Sequence, residues 1–269
     1  MPAAGGALGV GAFLTPNEGA LDYLAAGVRG HAASAYDFCV YLDKDKYTSR
    51  MLERSGLRLF NRAEAVEICD DKMLTHLALA GVVPMPETIP GPLCYTPGAP
   101  VSECLLSRVE ELLGCPVVVK ECYGSLGKGV YLAHDRAQLR EIAARVQAKP
   151  HLYQQFIAES AGQDLRVLVI GGKAVAAMRR ISQGDFRSNA ELGGRGEAAA
   201  LDPVVAALCE KAAARIELDY CGVDLLLSKD GPLVCEVNSN AFFGTFERVT
   251  KINVARRYAE YIVTAMSAQ

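Results

Sequence analysis

The sequence predicts a mixed α/β (α+β) fold made of small units, and three observations predict it. The 269 residues exceed one average domain and suit two or three small ones. Short apolar runs of strand length alternate with amphipathic stretches of helix length. Pro84, Pro86, Pro90, Pro92, Pro97 and Pro100 crowd one stretch, where they exclude a regular helix and mark a connection.

Taken in order, Leu8 to Phe13 reads as a strand and Ala20 to Val28 as a helix. Phe38 to Tyr41 and Leu57 to Phe60 read as strands, with a helix over Lys46 to Arg54 between them. Asn61, with Glu64 three residues on, is an expected N-cap for a helix through Ala63, Val66 and Ile68. A second helix over Lys72 to Ala80 stops at Gly81. Beyond the prolines, Ser102 to Leu113 and Ala137 to Ala148 are helices, and Val117 to Lys120 and Val130 to Ala133 are strands. Leu152 to Ile157, Arg166 to Ile170 and Ala174 to Arg180 read as strands, and Gly184 to Glu197 as a loop. Pro203 to Ile216 is a helix, Gly222 to Leu227 and Pro232 to Asn238 are strands, and Ile252 to Met266 is a last helix.

Composition narrows the class. Half the residues are apolar, which fits a packed chain, and the net charge of −3 argues against a broad nucleic-acid surface. No apolar run reaches the length of a membrane span. Met1 to Val10 is small and glycine-rich without a basic leader, so no signal peptide is expected. The nine cysteines show no CxxC pair and mostly sit in apolar segments, which points to free thiols in a reducing cytoplasm. Cys122 stands beside the first glycine-rich loop, where packing is the expected role.

Three constellations carry chemistry. The first is Val117 to Lys120 followed by Ser125-Leu126-Gly127-Lys128-Gly129. Glycines let the backbone approach a phosphate, but here they join two strands, as in an ordinary hairpin turn and unlike a P-loop. The second is Gly184-Asp185-Phe186-Arg187-Ser188-Asn189, in which an arginine could clamp a phosphate or carboxylate; a solvated surface loop fits the same residues. The third is Asp224 in an apolar strand together with Glu236-Val237-Asn238. Glu236 and Asn238 share a strand face, and three oxygen donors suit magnesium. Asp224 and Glu236 must then face the same side, which predicts a three-residue Lys229-Asp230-Gly231 turn.

In this order the motifs resemble the ATP-grasp superfamily, and within it the RimK-type alpha-L-glutamate ligases and LysX-like carboxylate-amine ligases. The resemblance runs from about Asn61 onward and is strongest at Asp70-Asp71-Lys72, Lys120 to Val130, Gly184 to Asn189 and Glu236 to Asn238. It implies an ATP-grasp fold: a short N-terminal pre-grasp α/β domain over 1–70, a central lid subdomain over 71–155 and a C-terminal subdomain over 156–269. It also implies roles. Lys72 and Lys120 reach the ATP phosphates, and Ser125 to Gly129 (Ser125, Leu126, Gly127, Lys128, Gly129) form the lid loop. Gln154, Gln155, Phe156 and Ile157 form the adenine hinge, with Gln155 where the family usually has glutamate. Asp164 is a nucleotide-side acid, and Arg187, Ser188 and Asn189 lie near the transferred phosphate, with Arg187 catalytic. Asp224, Glu236 and Asn238 are the metal ligands.

The implied reaction is ATP-dependent amide formation through an acyl phosphate, with Mg2+, or Mn2+ in its place, and with a small carboxylate and an amine such as an amino acid or peptide. Neither nucleic acid nor membrane is an expected partner, and a homo-oligomer is compatible. The alternatives are a nucleotide-binding module without catalysis and an enzyme of the same fold using a thiol or phosphate nucleophile. Ser239-Asn240-Ala241-Phe242-Phe243-Gly244 departs from the family's small-Ser-Pro-Gly run. One of the two phenylalanines is expected to narrow the substrate pocket and the other to pack inward.

Overall fold

The computed structural model describes residues 11, 25 and 36–268, apart from 97, 183 and 189–194. The expected elements over 8–13 and 20–28, and Asn189, lie outside the described residues but for positions 11 and 25.

The first described unit pairs β1 (Phe38–Val40) with β2 (Arg58–Phe60) in parallel. Between them α1 (Lys46–Arg54) begins where the Asp45 carboxylate accepts from the amides of Tyr47 and Thr48. Two helices follow, α2 (Ala63–Asp70) and α3 (Lys72–Leu79), and Asp71 caps the second by accepting from Met73 and Leu74.

Asn61 does not cap α2. Arg62 occupies the cap without a side-chain bond, and the Glu53 carboxylate takes the amide of Ala63 instead. The buried Asn61 amide donates to the carbonyls of Tyr220 and Ser239 and accepts from the amides of Asp219 and Tyr220. Four backbone groups far along the chain outcompete one local amide, so the residue ties this unit to the strands that follow.

A four-stranded antiparallel sheet comes next, built from β3 (Thr88–Pro90), β4 (Val117–Glu121), β5 (Val130–Ala133) and β6 (His151–Gln155) in the order β3-β6-β4-β5. The strand β3 lies inside the proline stretch, where no strand was expected; at an edge, Pro90 costs no ladder bond. The helices α4 (Glu103–Leu113) and α5 (Arg136–Val146) cover one face, and Leu106, Val109, Val119, Leu139 and Tyr153 fill the space between.

The larger sheet has five antiparallel strands: β7 (Gln163–Ile170), β8 (Lys173–Ile181), β9 (Arg195–Ala199), β10 (Tyr220–Ser228) and β11 (Gly231–Asn238), ordered β11-β10-β7-β8-β9. The segment read as a loop thus ends in strand β9. One face packs against α6 (Pro203–Ile216) and residues of α2 and α3 through Val167, Val169, Val223, Val237, Cys209 and Leu79. Part of the other face, Leu168, Ile170, Met178 and Tyr220, packs with α7 (Gly244–Thr250) and α8 (Val254–Ser267). The rest of that face is polar and positions the site. No helix among the described residues is long and apolar enough to cross a membrane.

Candidate functional site

The polar face is organised around a buried charge network. Arg166 on β7 grips the Asp224 carboxylate with its Nε and Nη2, each at 2.7 Å. Arg180 on β8 reaches Asp224 Oδ2 at 2.9 Å and pairs with both oxygens of Asp164. Ser188 donates to Asp164 as well. Asp164, Arg166, Arg180 and Asp224 project from one face because directly opposed partners in an antiparallel ladder share a side. Burial pushes the Asp224 carboxyl up, but the Arg166 and Arg180 charges outweigh it and hold it below the usual carboxylate range. Asp164, expected on the nucleotide side, has both oxygens engaged by Arg180 and Ser188 and is buried.

Asp224 stands opposite Glu236, as a shared site requires, and Asn238 donates to Asp224 Oδ2 at 3.3 Å. The expected turn is wrong, however. Ser228 pairs with Gly231, leaving Lys229 and Asp230 as a two-residue turn. The missing residue enters as a bulge: Leu225 faces Val234 and Asp224 faces Glu236, so Cys235 is extra.

These donors fit a magnesium ion. Asp224 Oδ2 has three donors, but Oδ1 has only Arg166 Nε and keeps a lone pair. The Asn238 amide group spends its NH2 on Asp224, leaving its oxygen available. The Glu236 side chain makes no hydrogen bond or ion pair with the described residues, so its carboxylate is the least committed of the three.

Two lysines approach from other elements. Lys72, first residue of α3, donates to the carbonyl of Gly124 at 2.9 Å. Burial lowers its pKa, Glu236 opposes that shift, and Lys120 adds to it. Lys120 on β4 lies 3.3 Å from Cys235 Sγ at the bulge. Between β4 and β5 the glycine loop closes on itself, with Glu121 N donating to Gly129 O and Lys128 N to Ser125 O. Gly127 and Gly129 have φ of 75° and 72°, and a Cβ on Gly129 would press on Glu121 at 3.0 Å. Leu126 takes φ 62° without that freedom, and Ser125 and Lys128 are exposed beside it. Cys122 is buried under the loop and its thiol is pushed up to about 11, chiefly by burial, in keeping with a packing role.

The hinge follows β6. The buried Gln154 amide donates to Thr88 Oγ1 at 2.8 Å and its oxygen faces Cys235 Sγ at 4.0 Å. Gln155 is exposed, with its backbone N–H donating to Glu87 O. Ile157 is buried, and Phe156 meets Phe186 edge-on at 6.4 Å. Phe186 belongs to the arginine loop, which is tied down at several points. Gly162 N donates to Phe186 O at 2.8 Å, and Ser188 reaches Asp164. Arg187 pairs with Asp185 and extends Nη1 to the carbonyl of Gly127 at 2.8 Å, joining the arginine loop to the glycine loop.

Phe243 is half-buried and edge-on to Tyr220 at 6.3 Å, whereas Phe242 is 68 % exposed. Asn240 donates to Leu42 O, fastening this segment to the first unit.

The sequence reading missed Arg166, Arg180 and Cys235 as members of the site, and it named Asp185 only as part of the arginine loop, without a role. The period-two spacing of Asp164 and Arg166 in an apolar strand was the available signal for Arg166, since it puts both on one face. Nothing local marks which of Arg179 and Arg180 turns inward.

With this geometry in place, similarities to known proteins can be read. The RimK-like ATP-grasp domain profile matches residues 98–262. Beta-citrylglutamate synthase B of Mus musculus is 34% identical over 258 residues, covering 91% of this chain and 65% of that protein. N-acetylaspartylglutamate synthase A of Homo sapiens is 36% identical over 231 residues, covering 84% of this chain and 58% of that protein. The chain thus spans 65% and 58% of the length of these relatives. The solved RimK domain protein ATP-grasp from Sphaerobacter thermophilus superposes with a TM-score of 0.65 at 26% identity, covering 93% of this chain and 96% of that one.

Proposed function

The chain belongs to the RimK-like ATP-grasp family, and from that premise we propose that it is an ATP-dependent ligase joining a carboxylate to an amine. The three-unit division at 70/71 and 155/156 is part of this reading. A carboxylate oxygen of the substrate attacks the γ-phosphorus of ATP and ADP leaves. The amine then attacks the acyl carbon, the C–O bond to phosphate breaks, and an amide, inorganic phosphate and a proton result.

Such a transfer needs positioning and charge neutralisation more than covalent help. Lys72 and Lys120 bind phosphate oxygens, residues 154–157 cradle the adenine, and Arg187 with Ser188 and Asn189 meets the group in transfer. The glycine loop excludes water from the acyl phosphate. Glu236, Asn238 and Asp224 Oδ1 would hold magnesium, or manganese in its place, which when bound neutralises phosphate charge.

The observation that carries this reading is the convergence of Lys72, Lys120 and Glu236 from three elements beside the glycine loop. A solvated loop or a simple hairpin has no need of it. The partners proposed are small molecules of the cytoplasm, with neither nucleic acid nor membrane; nine free thiols fit a reducing compartment, and a homo-oligomer is compatible. Glutamate is the first amine to test, because both relatives are named for products that contain it.

The test is ADP release over pairs of carboxylates with amino acids or short peptides, with mass spectrometry of the product. An amide formed in step with ADP supports the ligase. Nucleotide binding without ADP release for any pair would mark a non-catalytic module, and a thioester or an acyl phosphate end product another nucleophile.

A further inference from the structure

We infer that Asp185 is the positioning residue that aims Arg187 at the transferred phosphoryl group, an inference that rests on the ligase reading above. The Asp185 carboxylate takes one edge of the guanidinium, with Nε at 2.9 Å from Oδ1 and Nη2 at 2.6 Å from Oδ2. It also accepts from the backbone amide of Arg187 at 2.8 Å. That leaves Nη1 and the outer hydrogen of Nη2 pointing away together. This is the end of the fork that fits two oxygens of a phosphate. Nη1 now donates to the Gly127 carbonyl at 2.8 Å, so an oxygen acceptor already sits on the outward end, at the glycine loop.

The surroundings fix the backbone on both sides of Arg187 but leave its side chain to Asp185. Gly162 holds Phe186 through its carbonyl, Phe156 packs on the Phe186 ring, and Ser188 is bound to the buried Asp164. Among the described residues, every other contact of the guanidinium is with Gly127 or lies over the Phe186 ring. A long arginine side chain held only at its backbone would sample several rotamers, so the carboxylate selects the one in which the fork faces the glycine loop.

The carboxylate also has an electrostatic cost. It places a negative charge beside the site meant for phosphates, which works against nucleotide binding. A residue retained for affinity would carry the opposite sign. Asp185 should therefore act on turnover and not on ATP affinity.

The experiment measures ADP release with a carboxylate–amine pair that the parent turns over, and the Kd of a non-hydrolysable ATP analogue. Asp185→Asn and Asp185→Ala should lower kcat about tenfold or more, since a misplaced group far from ideal geometry costs up to roughly 100-fold. The analogue's Kd should stay level or tighten, and the thermal midpoint should stay with the parent's. Added guanidinium ion should restore part of the activity of Arg187→Ala but not of Arg187→Ala/Asp185→Asn, because the free ion needs the carboxylate as its seat. Unchanged kcat, a Kd that weakens in step with kcat, or equal rescue of the single and double variants would each overturn the inference while leaving the ligase reading intact. A parent that releases no ADP with any pair would defeat that reading, and this inference with it.

Discussion

Asp224 and Glu236 stand directly opposite each other on β10 and β11 although the turn joining those strands holds only two residues. A regular ladder from the Ser228–Gly231 pair would set Asp224 against Cys235 and send Glu236 to the packed face. The bulge at Cys235 corrects the register by one residue, and one residue is what moves a side chain to the other side of a sheet. It also leaves the Cys235 thiol beside Lys120 and Gln154. The site therefore depends on a local irregularity of the backbone as much as on the identity of its ligands.

Glu236→Gln keeps the size of the side chain and its face but removes the one carboxylate of the three donors that has no arginine partner. Turnover should fall on the order of 10-fold to 100-fold, the loss usual even for partners one step removed from a metal. The magnesium concentration for half-maximal rate should rise and the thermal midpoint should hold. Full activity at ordinary magnesium would remove Glu236 from the metal site.

Much of this was legible in the residues, and the misses have physical causes. The apolar runs at Val117 to Lys120 and Gly222 to Leu227 announce strands because β-branched and aliphatic side chains fill both faces of buried sheets. The strand β9 gave no such signal: Arg195-Gly196-Glu197-Ala198-Ala199 lacks any β-branched or aromatic residue. Its small residues are explained by neighbours, since a Cβ on Gly196 would lie 2.8 Å from Met178 Sδ. The bulge was hidden because Cys235 sits in an apolar run where a thiol reads as one more small hydrophobe. Asn61 was misread for the reason that local rules know only local partners; its four bonds are to residues about 160 to 180 positions later. The motif order survived these errors because each motif is contiguous in sequence.

Gly162→Ala tests whether the arginine loop must stay where it is. Gly162 has φ 73°, and a Cβ there would stand 3.0 Å from the carbonyl oxygen of Asp185 and 3.2 Å from that of Ser182. The left-handed conformation alone costs a non-glycine residue about 1–2 kcal/mol. The loop must also shift outward by a few tenths of an ångström, taking Arg187 with it. We expect a lower denaturation midpoint by about that free energy and a larger loss in kcat than in ATP affinity. A variant with parental kcat would show that the loop's exact seat is unimportant to transfer.

A pH dependence follows from His151. The ring is buried against Tyr153, with Nδ1 2.8 Å from the carbonyl of Lys149, and Gly91 leaves no room above it. Burial lowers its pKa, while the Lys149 carbonyl opposes the shift. The folded pKa thus lies below the unfolded value of about 6.5, and near neutral pH the unfolded chain binds more protons as pH falls. Stability should therefore decline as pH drops through about 6.5 and level off below the folded pKa, with a slope of at most about 1.4 kcal/mol per pH unit from this group. Half-buried His76 acts in the same sense, so the comparison must be made by subtraction. Urea midpoints of the parent and of His151→Gln, measured from pH 8 to pH 5, should converge toward acid as the variant loses part of the decline. Parallel curves would mean that His151 protonates equally in both states.

The final prediction concerns substrate choice and turns on the two adjacent phenylalanines. Their rings diverge: Phe243 packs edge-on to Tyr220 at the start of α7, while Phe242 is 68 % exposed. Neighbouring Asn240 is bound to Leu42 of the first unit, so the segment is held in place directly after the proposed metal strand. An exposed aromatic on a fixed segment contributes little to folding, because its area is not removed from water. Phe243→Ala should lower stability by about 1–3 kcal/mol, below the 3–5 kcal/mol of a fully buried ring, with the substrate profile kept. Phe242→Ala should leave stability and ATP affinity near the parent's and change the ranking of amines and carboxylates in the ADP-release screen. Larger acceptors should gain relative to small amino acids, because the ring's removal widens the approach to the site. If Phe242→Ala retains the parent's ranking across the screen, the ring does not line the substrate's path, and specificity must come from residues of another element.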